Sequence, residues 1–227
     1  PLSGSAQTLE PELAAFSPDG TQCFVTLQEN NVVVALDFTL AAPAIRAANG
    51  VMGLGLVDVP DADVTNGGAN APAAGFKDLL QREREPDGIA VAVLAGTLCF
   101  VTADEGDTFG ATPTDSSSSR FRGGRTLSIF RASDGTLLGD TGNRLDAAVN
   151  AVGRWAAFVE PGSRSRRGGS EPENFTLVTW KDRTLAVVGL ERANALALVD
   201  VSDPRGPTVL DLTGIGGLGA VARTAPE

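Results

Sequence analysis

The sequence contains no histidine and no tyrosine, and among its 227 residues there are one methionine and two cysteines. Without histidine it lacks the commonest general base near neutral pH and the commonest transition-metal ligand. Serines are present, but no histidine or Ser-x-x-Lys arrangement is there to activate one, so any hydrolysis would have to rest on metal and carboxylate alone. Positive charge is scarce too: 18 Lys and Arg stand against 28 Asp and Glu, a formal net charge of −10. That balance argues against a general nucleic-acid binder, which needs a basic footprint. It suits cation binding or plain solubility. No apolar run reaches the ~20 residues that a membrane-crossing helix needs. The chain opens at Pro1, so the lack of a visible targeting segment says nothing about compartment.

Hydrophobic residues make up 42% of the chain, enough for a core, while 27 glycines and 13 prolines point to short elements and many turns. An internal repeat organises them. "LEPELAAFSPDGTQCFVTLQEN" from Leu9, "REPDGIAVAVLAGTLCFVTADEGD" from Arg84 and "SEPENFTLVTWKDRTLAVVGLERAN" from Ser170 each open on an acid-Pro-acid triplet. Each closes on an acid 19 or 20 residues after the first of the triplet: Glu10 to Glu29, Glu85 to Glu105, Glu171 to Glu191. Cys23 and Cys99, in "GTQCFVT" and "GTLCFVT", take the same place in successive repeats on this alignment. Such positions normally lie beyond the ~7 Å Cα separation a disulfide tolerates, so both cysteines read as small buried hydrophobes.

Within each unit, β-branched and aromatic runs of five to seven residues are bounded by turn formers, which favours strands over helices. "SPDG" at Ser17 and "DG" at Asp134 are turn and hairpin signals. The expected fold is all-β: a β-propeller of four-stranded antiparallel blades, with units near residues 10–50, 85–143 and 171–213. Residues 51–84, 104–124 and 144–170 read as connectors. The first is Gly/Ala/Asn/Asp-rich and looks like a long surface excursion, and the second carries the low-complexity "SSSSRFRGGR". In the third, Leu145, Ala148, Val149, Val152, Trp155 and Ala156 recur at helical spacing and predict a short helix near 145–158. Propellers close with ~4 to 8 blades, so three units form part of a larger ring, of roughly seven, or are completed by another chain.

In an antiparallel pair, the start of the first strand and the end of the second share one sheet edge, ~4.8 Å apart. Around a propeller these edges face one mouth of the channel. Glu10, Glu12, Glu29, Glu85, Asp87, Glu105, Glu171, Glu173 and Glu191 are therefore expected on one rim. Carboxylates so crowded need compensation. Calcium is the candidate ion, because it takes several carboxylate and carbonyl oxygens and no histidine. The plainer alternative is that each acid accepts backbone N–H groups and pins neighbouring blades together. The other motifs are weaker. "SRSRR" at Ser163 and "RFRGGR" at Arg120 are most simply solvated loop charge. "NFT" at Asn174 is a glycosylation sequon on an expected inner strand, where a glycan would not fit. "DEGD" at Asp104 lacks the length of an EF-hand loop, and "GIGGLG" at Gly214 does not sit between a strand and a helix.

The three acid-Pro-acid openings, together with "LQEN", "EGD", "RTLSIF" and "GLERANALALVDVSDPRGPTV", resemble the bacterial choice-of-anchor I propellers. The related animal and algal proteins are mesenchyme-specific cell-surface glycoproteins associated with biomineral deposition. The resemblance implies a secreted or surface-attached propeller with an adhesive or matrix role and no defined reaction. It also implies further blades on either side. Where the family has an acidic segment before the third triplet, this chain has "RSRRGG", which puts any metal site built there in doubt. The reading is a non-catalytic surface or matrix propeller that binds other proteins, with calcium at the channel mouth. Its alternatives are a calcium-dependent phosphoester hydrolase and an intracellular scaffold.

Overall fold

The computed structural model describes residues 9–63, 76–105, 123–152 and 169–215. Those residues form an all-β chain with one helix. The first sheet runs β1 (Pro11–Phe16), β2 (Gln22–Leu27), β3 (Val32–Asp37) and β4 (Ala44–Ile45), with β5 (Val51–Gly53) also paired to β3. A two-stranded hairpin follows, β6 (Leu56–Asp63) with β7 (Phe76–Glu83). The second sheet comprises β8 (Pro86–Leu94), β9 (Thr97–Asp104), β10 (Thr126–Arg131) and β11 (Leu137–Asp140). After α1 (Arg144–Ala151) comes the third, β12 (Pro172–Trp180), β13 (Arg183–Leu190), β14 (Ala195–Asp200) and β15 (Thr208–Gly214). Every pairing is antiparallel.

Local chemistry sets the turns. At "SPDG" the Gly20 amide donates to the Ser17 carbonyl at 2.9 Å, while Asp19 Oδ1 accepts from the Thr21 amide at 3.1 Å. Asp134 Oδ1 caps the next such turn, accepting from the Thr136 amide at 3.0 Å. Each first strand begins at its proline, which has no amide to give to a ladder. A register shift then separates each proline from the body of its strand.

The sheets stack because their strands are apolar on both faces, and side chains alternate between faces with period two. On the first sheet, Phe24, Val33 and Ala35 meet Ile89, Phe100 and Phe130 of the second. The rings of Phe24 and Phe100 are 5.6 Å apart, and those of Phe100 and Phe130 5.1 Å. The opposite face of the second sheet presents Leu94, Val101, Leu127 and Ile129 to Ala186, Val188 and Leu190 of the third. The second sheet thus has a leading face toward the third and a trailing face toward the first, and the same terms name the corresponding faces of the other two. Strand β8 packs against both β1 and β12, so the first strands of the three sheets are neighbours.

Several polar groups inside this stack are paired. Asp104 is fully buried and accepts from Thr102, Thr126 and Ser128 hydroxyls, with Arg84 Nη1 at 3.5 Å. Arg84 also reaches Asp140 at 3.1 Å and lies over the Phe130 ring. Burial pushes the Asp104 carboxyl up, and Arg84 with the three hydroxyls works against that. Arg125 pairs with Asp146 of α1 at 3.2 Å, and Asp146 accepts from the amide and hydroxyl of Ser170. Arg125 is therefore a buried structural cation and not solvated loop charge; the other arginines of the two basic motifs lie outside the described residues.

Several expectations change. The helix is described over Arg144–Ala151, with Leu145 and Val149 buried but Val152 exposed, and Trp155 and Ala156 lie outside the described residues. The stretch read as a surface excursion contains β5, β6 and β7, and buries Met52, Leu54, Val57 and Val59. Its Gly/Asn/Ala-rich centre, 64–75, lies outside the described residues. Asn174 of the sequon is exposed, although its backbone and amide oxygen lie close to Gly88 of the second sheet. Finally, register does not align the two cysteines. Ala14–Val25 and Ile89–Thr102 are corresponding pairs, which sets Cys23 level with Phe100 and Cys99 level with Gln22. Both cysteines are nonetheless buried and free, as read from the sequence.

Gly88 marks a close approach between second and third sheets. A Cβ there would lie 2.7 Å from the Glu173 carbonyl oxygen and 3.0 Å from Asn174 Cα. Gly88→Ala is expected to lose about 1–3 kcal/mol in urea unfolding, the range for overpacking. Gly53→Ala, where nothing lies within 4 Å, is expected to stay within about 0.5 kcal/mol of wild type. Equal losses at the two sites would contradict the packing described.

Candidate functional site

Strand register fixes which acids correspond. Pro11 pairs with Leu27, Pro86 with Asp104 and Pro172 with Leu190. Those same partners pair onward with Val32, Thr126 and Ala195. The residue that follows them, Gln28, Glu105 or Glu191, therefore occupies one position in all three units. At that position the Glu105 amide donates to the Glu85 carbonyl at 3.1 Å, and the Glu191 amide to the Glu171 carbonyl at 2.9 Å. The closing residue of the first unit is thus Gln28. Glu29, which the acid-to-acid spacing equates with Glu105 and Glu191, stands one residue further on. The spacing misleads because the first hairpin is shorter than the other two.

The consequence lies in the next residue. "LQENN" and "LERAN" align on their Leu and final Asn, so Glu29 corresponds to Arg192. The two turns are alike: Asn31 (φ 52°) donates to the Gln28 carbonyl at 2.8 Å, and Asn194 (φ 48°) to the Glu191 carbonyl at 3.1 Å. Asparagine tolerates this left-handed conformation better than most residues. One equivalent place near the start of a first strand is filled by a guanidinium in the third unit and by a carboxylate in the first.

Two trios of carboxylates result. Glu10, Glu12 and Glu29 each bring an oxygen within 4.8 Å of the others, and so do Glu105, Glu171 and Glu191. The second trio already holds a cation. Arg192 Nε lies 2.6 Å from Glu171 Oε2, and its Nη1 lies 3.0 Å from Glu191 Oε1. Gln28 Nε2 reaches across from the first unit to donate to Glu105 Oε2 at 2.6 Å. These compensators are side chains, where the plainer sequence reading expects backbone amides. In the first trio the charges are alike: burial raises the Glu29 carboxyl, its own backbone hydrogen bond opposes that, and Glu10 and Glu12 raise it further.

Asp87 sits between the trios. Burial pushes its carboxyl up to about 6, and Glu173, Glu12, Glu191 and Glu29 add to the rise in that order. Acids of the first and third units are thus felt at one half-buried carboxyl of the second. Glu173 is exposed, and Glu85 is buried beside Arg82, whose guanidinium burial lowers to about 9. Seven of the nine predicted residues, the two trios and Asp87, therefore form the acidic edge, with Glu173 acting on it and Glu85 turned to other work. Chemically, Glu10, Glu12 and Glu29 offer hard oxygen ligands with two members exposed to water, the donor set calcium takes. Arg192 and Gln28, the residues that neutralise or order the second trio, are not visible to a search for acids alone. The ungapped Leu and Asn anchors are the signal that finds them.

The choice-of-anchor I domain model matches residues 3–122 and 113–204 of the chain. No curated protein matches it. No helix among the described residues is long and apolar enough to cross a membrane.

The Asp87 carboxyl gives the edge a pH signature. Its folded value near 6 exceeds an unfolded value of about 3.9, so the folded state holds the proton more tightly. Stability on this account is full below about pH 4 and is lost as pH rises toward 6. Asp87→Asn is expected to raise Tm at pH 7.5 in chelator while leaving it nearly unchanged at pH 4. A Tm that falls equally at both values would contradict the crowding described.

Proposed function

The chain belongs to the choice-of-anchor I domain family, and from that premise we propose that it is a surface-associated, non-catalytic β-propeller segment that binds calcium at Glu10, Glu12 and Glu29 and offers its faces to other proteins. The stack supports the propeller reading: leading face meets trailing face twice in succession, with β1, β8 and β12 adjacent as the inner strands of consecutive blades are. Family membership and the surplus of acids support a place at the cell surface or in the extracellular matrix. Adhesion is the role proposed for the exposed faces.

One observation carries the cation reading. At equivalent register positions the third unit places Arg192 against Glu171, while the first places Glu29 with Glu10. The first trio offers three closely spaced carboxylates to a cation from solution. Calcium sites of extracellular modules have dissociation constants of roughly 10⁻⁴ to 10⁻³ M, which suits three carboxylates, two of them exposed. The second trio, with Arg192 inside it, is proposed as an internal ion pair network and not as a metal site.

Calorimetric titration of calcium into chelator-treated protein is expected to give one site in that affinity range. Glu29→Arg should abolish the heat and raise Tm in chelator by a few degrees, since ~1 kcal/mol moves a domain of this size by about 2–4 °C. Unchanged binding in Glu29→Arg, or no binding by wild type at millimolar calcium, would remove the proposal.

A further inference from the structure

One buried hydroxyl joins the first two units beside their acids. Thr26 of β2 is fully buried, and its Oγ1 accepts from the Leu13 amide at 3.0 Å. Its own proton goes to the Asp87 carbonyl of the second unit at 2.8 Å, with the Leu13 carbonyl further off at 3.2 Å. Leu13 lies inside the register shift between Pro11 and Ala14, where the ladder of β1 and β2 is interrupted. The Thr26 hydroxyl therefore stands in for a ladder partner at an irregularity of the kind that re-aims neighbouring side chains. The neighbour of Leu13 is Glu12, a member of the first trio, and the residue held across the junction is Asp87.

The register shows how the second junction manages without such a group. Val25, Thr102 and Val188 correspond through their partners Ala14, Ile89 and Phe175. The residues that follow, Thr26, Ala103 and Gly189, therefore occupy one place, and of these Thr26 alone carries a hydroxyl. At the second junction Gly88 comes close to the Glu173 carbonyl, which is the counterpart of the Asp87 carbonyl. Leu13 stands in the first unit where Gly88 stands in the second, so a side chain replaces the glycine and a hydroxyl reaches the carbonyl. Different groups thus set the approach of neighbouring units at the two junctions. Glu12 and Glu29 both act on the Asp87 carboxyl across the first.

We infer that Thr26 is a positioning residue for the calcium site: its hydroxyl holds Asp87 of the second unit beside Glu12 and Glu29, so that a fourth carboxylate adds to the field at the trio. This rests on the calcium reading of Glu10, Glu12 and Glu29. Calcium affinity rises with the carboxylate charge around the ion. A carboxylate a few ångströms outside the coordination shell corresponds to roughly tenfold in affinity at the dielectric of water.

Calcium titration of the 227-residue chain, followed by its amide NMR shifts, tests this, because it reads weak affinities and identifies the residues that respond. Wild type is expected to bind with the Leu13 and Gly88 amides, one from each unit, shifting together. Thr26→Val keeps the shape without the hydroxyl and should weaken binding about tenfold. Thr26→Ser keeps the hydroxyl and should stay within about twofold of wild type. Asp87→Asn should also weaken binding about tenfold, and adding Thr26→Val to it should change affinity less than about twofold further. General loosening of the fold would not give that non-additivity. If Thr26→Val loses its fold by circular dichroism, Thr26→Ala replaces it. Unchanged affinity in Thr26→Val or in Asp87→Asn would overturn the inference and leave the calcium site standing. So would equal losses from Thr26→Val in both backgrounds, or a response confined to the first unit. No binding by wild type at millimolar calcium would remove the inference together with the site it serves.

Discussion

A β-sheet with apolar side chains on both faces has to be covered twice, and the second sheet of this chain meets that demand by lying between the other two. Phe100 and Phe130 point one way from it, and Val101, Leu127 and Ile129 the other, all of them fully buried. Burial of each such side chain contributes about 1.5–3 kcal/mol, so the stack is held chiefly by these two apolar layers. Everything else takes its place from them. Stacking sets the first strands β1, β8 and β12 side by side, and that in turn gathers the residues at their starts onto one edge.

The acidic edge is a consequence with a cost. Carboxylates brought together by packing repel one another unless positive charge is supplied among them. The third unit supplies it with Arg192, the second receives a neutral donor from Gln28, and the first leaves Glu10, Glu12 and Glu29 together. Asp87, raised to about 6 first by its burial, is raised further by acids of the first and third units. Deeper in, the same problem is met by non-covalent partners within the chain, where Arg84 and three hydroxyls surround Asp104. Ion pairs so deeply buried are costly to break, about 3–5 kcal/mol when one partner is removed.

Much of this was legible in the sequence. The repeat, the strand runs, the "SPDG" and "DG" turns and the proline at each strand start all follow from local propensity, which the structure does not override. The acids were legible as a group for the same reason: triplet and closing residue flank one hairpin. Their correspondence was not. Counting from acid to acid assumes hairpins of equal length, and the first is shorter, so Glu29 was equated with residues that match Gln28. The cysteine motif failed likewise, since "CFVT" recurs one residue out of register. Long-range partners such as Arg84 with Asp140, or Arg125 with Asp146, leave no periodic trace. Only the backbone path reveals them.

The central claim is that one register position decides whether a unit neutralises its own triplet or leaves it to a metal. Arg192→Glu tests this by giving the third unit the arrangement of the first. Calcium titration by calorimetry should then show two sites per chain where wild type shows one, with the variant's Tm more dependent on calcium than the wild type's. A folded variant that still binds a single calcium, or none, would contradict the account.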